Sequence, residues 1–136
     1  MYRGGCLCGA VRYEAEGPAF HSTLCHCSMC RRAAGAPAVA WFSVRRSGLR
    51  LTGTPGAYSS SPGVTRQFCP DCGTQLTFAD ARTPEEIDIT TATLDDPELL
   101  PPEDHTFSEN RLHWMQLGDQ LPRYLRTRGD GALESA

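Results

Sequence analysis

Three thiols fall within six residues in the stretch Cys25-His26-Cys27-Ser28-Met29-Cys30. This spacing places three sulfurs around one metal ion and leaves a tetrahedral zinc short of its fourth ligand, the position where a substrate enters a catalytic site. Three thiolates leave a divalent zinc with a net charge of about minus one, so it acts on water more weakly than a site built from neutral histidines. Such a site suits thiols, because a thiol entering the open position loses its proton and becomes a nucleophile at neutral pH. Two blander readings stand beside this one. Cysteines pack as small core residues, and a histidine can complete a closed structural zinc. His26 sits between two ligands and in an extended backbone points away, which leaves His21, His105 and His113 for that role.

The other four cysteines pair off. Cys69-Pro70-Asp71-Cys72-Gly73 has the two-residue gap of a zinc knuckle, in which both thiolates bind one ion and the glycine lets the backbone turn. Gly5-Cys6-Leu7-Cys8-Gly9 supplies two more thiols, which share a side if the piece is extended. Closing the long loop between the pairs costs roughly 4 kcal/mol of entropy, and structural zinc returns on the order of 10 to 16 kcal/mol. A closed structural zinc on Cys6, Cys8, Cys69 and Cys72 is expected, and with the triplet it makes two zinc ions per chain.

The elements that must position these thiols are short strands. Ala10 to Ala15 alternates apolar and polar, and Ala19 to Leu24 is a second short strand that delivers Cys25. Arg31 to Ala36 reads as one helical turn stopped by Gly35 and Pro37, followed by a mostly apolar strand from Val39 to Val44 and a short one over Leu49 to Thr52. Tyr58 to Gly63 reads as a turn. Val64 to Phe68 and Gln75 to Phe78 form a hairpin across the knuckle, and Ile87 to Thr90 alternates cleanly. Asp95 to Pro102 is an acidic, proline-rich surface loop, and Leu112 to Leu117 returns to the body with Trp114, which like Trp41 reads as core. With ten prolines and thirteen glycines punctuating the strands, an all-β domain is expected, with residues 127–136 as a flexible tail.

At 136 residues the chain has the length of one domain, here taken as 1–126. Its 13 basic and 16 acidic residues give a net charge of -3, so no basic face points to nucleic acid or an anionic membrane. No apolar stretch reads as an export signal or membrane span. A cytoplasmic location follows as the expectation, and in that reducing compartment seven cysteines serve metal or catalysis better than disulfides.

Beyond the cysteines, the chain carries Gly4-Gly5-Cys6-Leu7-Cys8-Gly9-Ala10-Val11-Arg12-Tyr13, Arg31 after the triplet, Gly35-Ala36-Pro37 leading to Trp41, and Ser60-Ser61-Pro62-Gly63. It also carries Arg66, Phe68-Cys69 to Cys72-Gly73-Thr74, Thr93-Leu94-Asp95-Asp96-Pro97, His105 and Trp114. In these marks, from Gly5 to about Tyr124, it resembles the glutathione-dependent formaldehyde-activating family, which shares its domain with centromere protein V. The resemblance implies a mainly β, tent-like domain of short antiparallel strands around the four-cysteine zinc, with the three-cysteine zinc assigned to catalysis. It further implies a carbon-sulfur lyase step in which the sulfur of a small thiol such as glutathione adds to, or leaves, a small carbonyl such as formaldehyde. Arg66 is then a candidate for a carboxylate of the thiol substrate, against the plainer reading of a solvated strand arginine. His105 is a candidate general base or hydrogen-bond donor, against an ordinary polar contact. Ser60 and Ser61 read as turn residues. A zinc-stabilised binding module without catalysis is the alternative function. A redox enzyme of the methionine sulfoxide reductase kind would need a reactive cysteine that the two metal sites do not leave over.

Overall fold

Alternation that reads as strand in the sequence is strand in the structure, a computed structural model that describes residues 1–135. Among the described residues there are ten strands: β1 (Tyr2–Gly5), β2 (Arg12–Ala15), β3 (Phe20–Cys25), β4 (Val39–Arg45), β5 (Leu49–Thr52), β6 (Gly56–Ser61), β7 (Val64–Phe68), β8 (Gln75–Asp80), β9 (Glu86–Thr90) and β10 (Asp104–Thr106). Helix α1 (Ser28–Ala34) lies between β3 and β4, and short 3-10 turns follow several strands. The fold is mainly β, as expected. The chain, one domain by length, is built of two compact units: Met1–Phe20 with Phe42–Leu100, and His21–Trp41 with the chain from Pro101.

In the first unit β2 lies antiparallel between β1 and β5, so that Tyr13 stands opposite Gly4 on one side and Leu51 on the other. Tyr13 and Ala15 point inward while Arg12 is exposed, the period of two that a half-buried strand imposes. Gly4 has to be glycine, because a Cβ there would run into the Thr93 carbonyl and the Tyr13 phenol. A second sheet runs β4-β9-β8-β7-β6. Phe42, Val44, Leu76, Ile87 and Ile89 join Val11 and Tyr13 in one core, and Cys6 and Cys69 belong to that same cluster. Side chains of this size each contribute about 1.5–3 kcal/mol by leaving water.

The stretch read as a turn over Tyr58 to Gly63 is corrected by the structure. Most of it is edge strand β6, which pairs with β7 through a bulge between Ser59 and Ser61. Only Pro62-Gly63 turns, with Gly63 at φ 76°. A proline followed by a glycine of positive φ makes a tight two-residue hairpin, and serines on an exposed edge need no apolar alternation. Tyr58 is accordingly 64% exposed.

In the second unit β10 runs parallel to β3, with His105 beside Leu24 and Thr106 beside Cys25. The following chain folds back on β10. His105 N–H donates to the Pro122 carbonyl, and Tyr124 N–H donates to the His105 carbonyl. Within the segment read as a tail, the Ala132 carbonyl accepts from Leu125 N–H and Glu134 N–H donates to Arg123. Arg128 also forms a two-pronged ion pair with the buried Asp104 at 2.6 and 3.0 Å. Ala136, the last residue of that segment, lies outside the described residues. Trp41 is buried as expected. Trp114 is not, at 69% exposed: around it Arg111 donates to the Met115 carbonyl and Met115 N–H to Leu112, a polar turn that does not draw the indole inward.

Candidate metal centres

The two cysteine groups come together as their spacing requires, one in each unit. In the first, the sulfurs of Cys6, Cys8, Cys69 and Cys72 all lie within 4.8 Å of one another. Cys6 to Cys8 and Cys8 to Cys69 are each 3.7 Å. Four sulfurs about 2.3 Å from a tetrahedral zinc stand about 3.8 Å apart, so the separations fit such an ion. The two pairs are built alike. Cys6 N–H donates to Val11 and Cys69 N–H to Thr74, while Gly9 and Gly73 return with φ 83° and 82° to donate to Cys6 and Cys69. Val11 N–H donates to the Cys6 sulfur at 3.2 Å and lowers its pKa. The Thr74 hydroxyl, 3.3 Å from the Cys72 sulfur, brings that thiol down to about 5, aided by the Thr74 and Cys8 backbones. Donors aimed at sulfurs favour thiolates, the form a metal binds.

The second group is carried by the end of β3 and the start of α1. The Cys27 sulfur caps the helix by accepting from Cys30 N–H at 3.3 Å, which starts α1 three residues before the expected turn at Arg31. Gly35, at φ 64°, closes it, its N–H bonded to the Arg31 carbonyl. One helical turn thus brings Cys30 back to the end of β3, where its sulfur lies 3.6 Å from that of Cys25. All three sulfurs lie within 4.8 Å of one another, and no histidine nitrogen joins them among the described residues. His21, His105 and His113 therefore do not close the set. Crowding raises the pKa of Cys25, through Cys27 first, then Cys30, then burial. A cation among the sulfurs reverses that penalty, so this donor set also suits a metal ion. Both groups can hold a metal, and none of the seven cysteines is in a disulfide.

The sequence placed His105 near the chemistry and treated His26 as a bystander. In the structure they are joined: His26 Nε2 lies 2.9 Å from His105 Nδ1, and His105 Nε2 lies 3.1 and 3.0 Å from the two carboxylate oxygens of Asp119. His26 is wholly buried and His105 nearly so. Burial, then the charge of His105, pushes the His26 pKa down to about 4. Asp119 is lowered despite its partial burial, by Leu121 N–H and then by His105. No spacing rule links positions 26, 105 and 119. The parallel pairing of β3 and β10 brings the histidines together, and that register leaves no local mark in the sequence.

Arg66 also departs from the plain reading of a solvated strand arginine. It is 5% exposed, lies on β7 in the first unit with its guanidinium 5.0 Å from the centre of the Phe78 ring, and donates to the Ser60 hydroxyl at 3.2 Å. Phe78 stands beside Asp88 on β9, whose carboxylate accepts from Ser43 at 2.6 Å. Arginine, phenylalanine and aspartate thus follow one another across neighbouring strands. A guanidinium stacked on a ring in this way is held in a fixed orientation.

Comparison with known proteins places this arrangement. The family described as glutathione-dependent formaldehyde-activating enzyme matches residues 1–110, a span that contains all seven cysteines, His26, Arg66 and His105 but not Asp119. A Halomonas elongata protein, whose name makes it a candidate glutathione-dependent formaldehyde-activating enzyme, is 30% identical over 131 residues, 86% of this chain and 81% of that one. An uncharacterized lyase of Schizosaccharomyces pombe is 35% identical over 78 residues, so the match spans 57% of either chain. The crystal structure of a Rhodobacter sphaeroides protein superposes with a TM-score of 0.63 at 28% identity, covering 76% of this chain and 99% of that one. On the family match and the Halomonas relative together, the chain belongs to the glutathione-dependent formaldehyde-activating enzyme family.

Proposed function

We propose that the protein is a carbon-sulfur lyase acting on the adduct of a glutathione-like thiol with a small carbonyl compound, with zinc at both cysteine groups. The observation that carries this reading is the contrast in donor number: four sulfurs in one group, and three without a histidine in the other. The four-cysteine set would hold a structural zinc and the triplet a catalytic one. When bound by Cys25, Cys27 and Cys30, zinc supplies the positive charge that lets a fourth, incoming thiol persist as thiolate at neutral pH.

The chain's own residues bind and orient. Arg66, fixed by Phe78 and Ser60, offers a guanidinium to a carboxylate of the thiol. His105, the candidate base, has both ring nitrogens taken up by His26 and Asp119, so its part is to hold that buried line of hydrogen bonds rather than to meet the substrate. The Halomonas relative bears the name of this activity and the fission yeast relative is named a lyase, which supports the reaction class. A reducing cytoplasm is the setting in which such thiol chemistry operates, and among the described residues no helix is long and apolar enough to cross a membrane.

The test is the visible spectrum of protein carrying cobalt at the triplet, titrated with glutathione. Growth of thiolate-to-metal charge transfer, saturating with glutathione and followed by adduct formation when formaldehyde is added, is the expected result. A spectrum that no thiol changes sinks the reading and favours a metal-stabilised binding module.

A further inference from the structure

Arginines in the last turn of a helix ordinarily complement its C-terminal end, and α1 carries two, Arg31 and Arg32. Arg32 is exposed and fits that reading. Arg31 does not. Its side chain runs back along α1, so that Nε donates to the His26 carbonyl at 3.3 Å, one residue before the capping Cys27. Its main-chain N–H donates to the Cys27 carbonyl at 3.0 Å, so Arg31 holds the two carbonyls that follow Cys25. The His26 carbonyl belongs to the peptide that leads into Cys27, and covalent geometry puts the Cys27 sulfur no more than about 9 Å from the Arg31 Nε. From Gly17 to Phe68 the sequence holds no acidic residue, and among the described residues no carboxylate forms an ion pair with Arg31. In that whole stretch the groups that become anionic on binding a metal are Cys25, Cys27 and Cys30.

We infer that Arg31 is a positioning residue of the triplet: it clamps the His26–Cys27 turn to α1 and supplies, as a fixed cation, the charge that offsets the surplus negative charge of three thiolates around a divalent ion. That surplus is about one charge, and a fourth thiolate adds another. A guanidinium suits the task because it stays charged at any working pH, and its tie to a main-chain carbonyl fixes it without neutralising it. Arg31 acts on the sulfurs through its charge and through the placing of Cys27, with no contact to a reacting atom. That the charge favours an entering thiol rests on the proposed function; that it favours the metal ion does not.

The experiment compares wild type, Arg31→Gln, Arg31→Lys and Arg32→Gln, each carrying cobalt at the triplet, with circular dichroism to verify folding. Cobalt affinity is read by competition with a chelator, and thiol affinity from the visible spectrum with glutathione and with cysteamine. Glutamine keeps an amide donor for the His26 carbonyl and loses the charge; lysine keeps the charge. Arg31→Gln should bind cobalt and both thiols about tenfold more weakly, as expected for unit charges about 9 Å apart at an effective dielectric constant of about 20 with some screening by salt. Arg31→Lys should stay within about twofold of wild type, since the charge and its distance are nearly kept. Arg32→Gln removes the same formal charge from an exposed position of α1 and, with solvent screening it, should change neither affinity by more than about twofold. Wild-type cobalt affinity in Arg31→Gln, a tenfold loss in Arg31→Lys, or an equal loss in Arg32→Gln overturns the inference. Weaker cobalt binding with thiol affinity unchanged overturns its thiol half. Where Arg31→Gln does not fold, Arg31→Lys decides alone: retained cobalt affinity upholds the role of the charge and a tenfold loss overturns it. A wild type that binds cobalt but no thiol defeats the proposed function, and the cobalt affinities still decide the part of Arg31.

Discussion

The four-cysteine and three-cysteine groups use the same atom at nearly the same spacing, and they differ in what surrounds it. Around the four, backbone and hydroxyl donors from Val11 and Thr74 point at the sulfurs, and Cys6 and Cys69 sit in the core of the first unit. Those donors stabilise thiolates at Cys6 and Cys72, while exposed Cys8 is pushed up to about 12, against its own backbone hydrogen bond, by desolvation and the neighbouring sulfurs. Around the three, the sulfurs are held by a strand end and one helical turn, Cys27 capping α1, and crowding among them raises the pKa of Cys25. Four sulfurs are the full donor set of a structural zinc, and three leave one tetrahedral position over.

That comparison breaks most visibly under ligand substitution. Cys72→Ala removes one of four sulfurs from a group tied into the core, and loss of folded protein is expected, since structural zinc contributes on the order of 10 kcal/mol to folding. Cys27→Ser removes a triplet sulfur and keeps an oxygen that can cap α1. It should lower the metal content by one ion and abolish activity, while thermal stability changes by no more than about 1–2 kcal/mol. Melting followed by circular dichroism, with metal analysis, checks both. If Cys72→Ala melts like wild type, or Cys27→Ser fails to fold, the division of roles is wrong.

A smaller effect separates binding from chemistry. Arg66→Ala should weaken glutathione binding by about ten- to a hundredfold, the range of a hydrogen bond to a charged group, and should leave cysteamine, a thiol without a carboxylate, unaffected. Cobalt spectra titrated with the two thiols read this directly. Equal weakening of both would remove Arg66 as a carboxylate partner and leave it a packing residue over Phe78.

What the sequence discloses follows the range of the interactions involved. Metal ligation is written in local spacing, so Cys69 to Cys72 and Cys25 to Cys30 are readable one residue at a time. So is the period of two in Arg12 to Ala15 and Ile87 to Thr90. Composition misleads where an exposed edge needs no pattern, as in the serines of β6, and where a side chain does an unusual job, as when the Cys27 sulfur caps α1. The burial of Arg66 and the line from Asp119 through His105 to His26 depend on strand neighbours far away in sequence. The exposure of Trp114 depends on a polar turn around it, and its side-chain type alone argues the other way.

The smallest effect concerns the first unit alone and tests whether its packing is as closed as its metal group suggests. Tyr13 is 2% exposed, and burial raises its pKa from 10.0 to about 12, opposed by its 2.9 Å hydrogen bond to Thr93. Below pH 10 the phenol is neutral whether the chain is folded or not, so it adds no pH dependence. Between pH 10 and 12 the unfolded chain loses its proton while the folded one keeps it, and stability must fall, by up to about 3 kcal/mol for a two-unit difference. The sequence contains no lysine, so no ammonium titrates in that window. Tyr13→Phe removes the dependence and loses the hydrogen bond, about 1 kcal/mol. The variant should therefore be the less stable protein at pH 8 and the more stable one at pH 11. Urea melts of the metal-loaded pair give the difference at each pH, with thiol titration common to both. Parallel curves would mean that water reaches Tyr13 in the folded state and that the first unit is looser than its closed metal group implies.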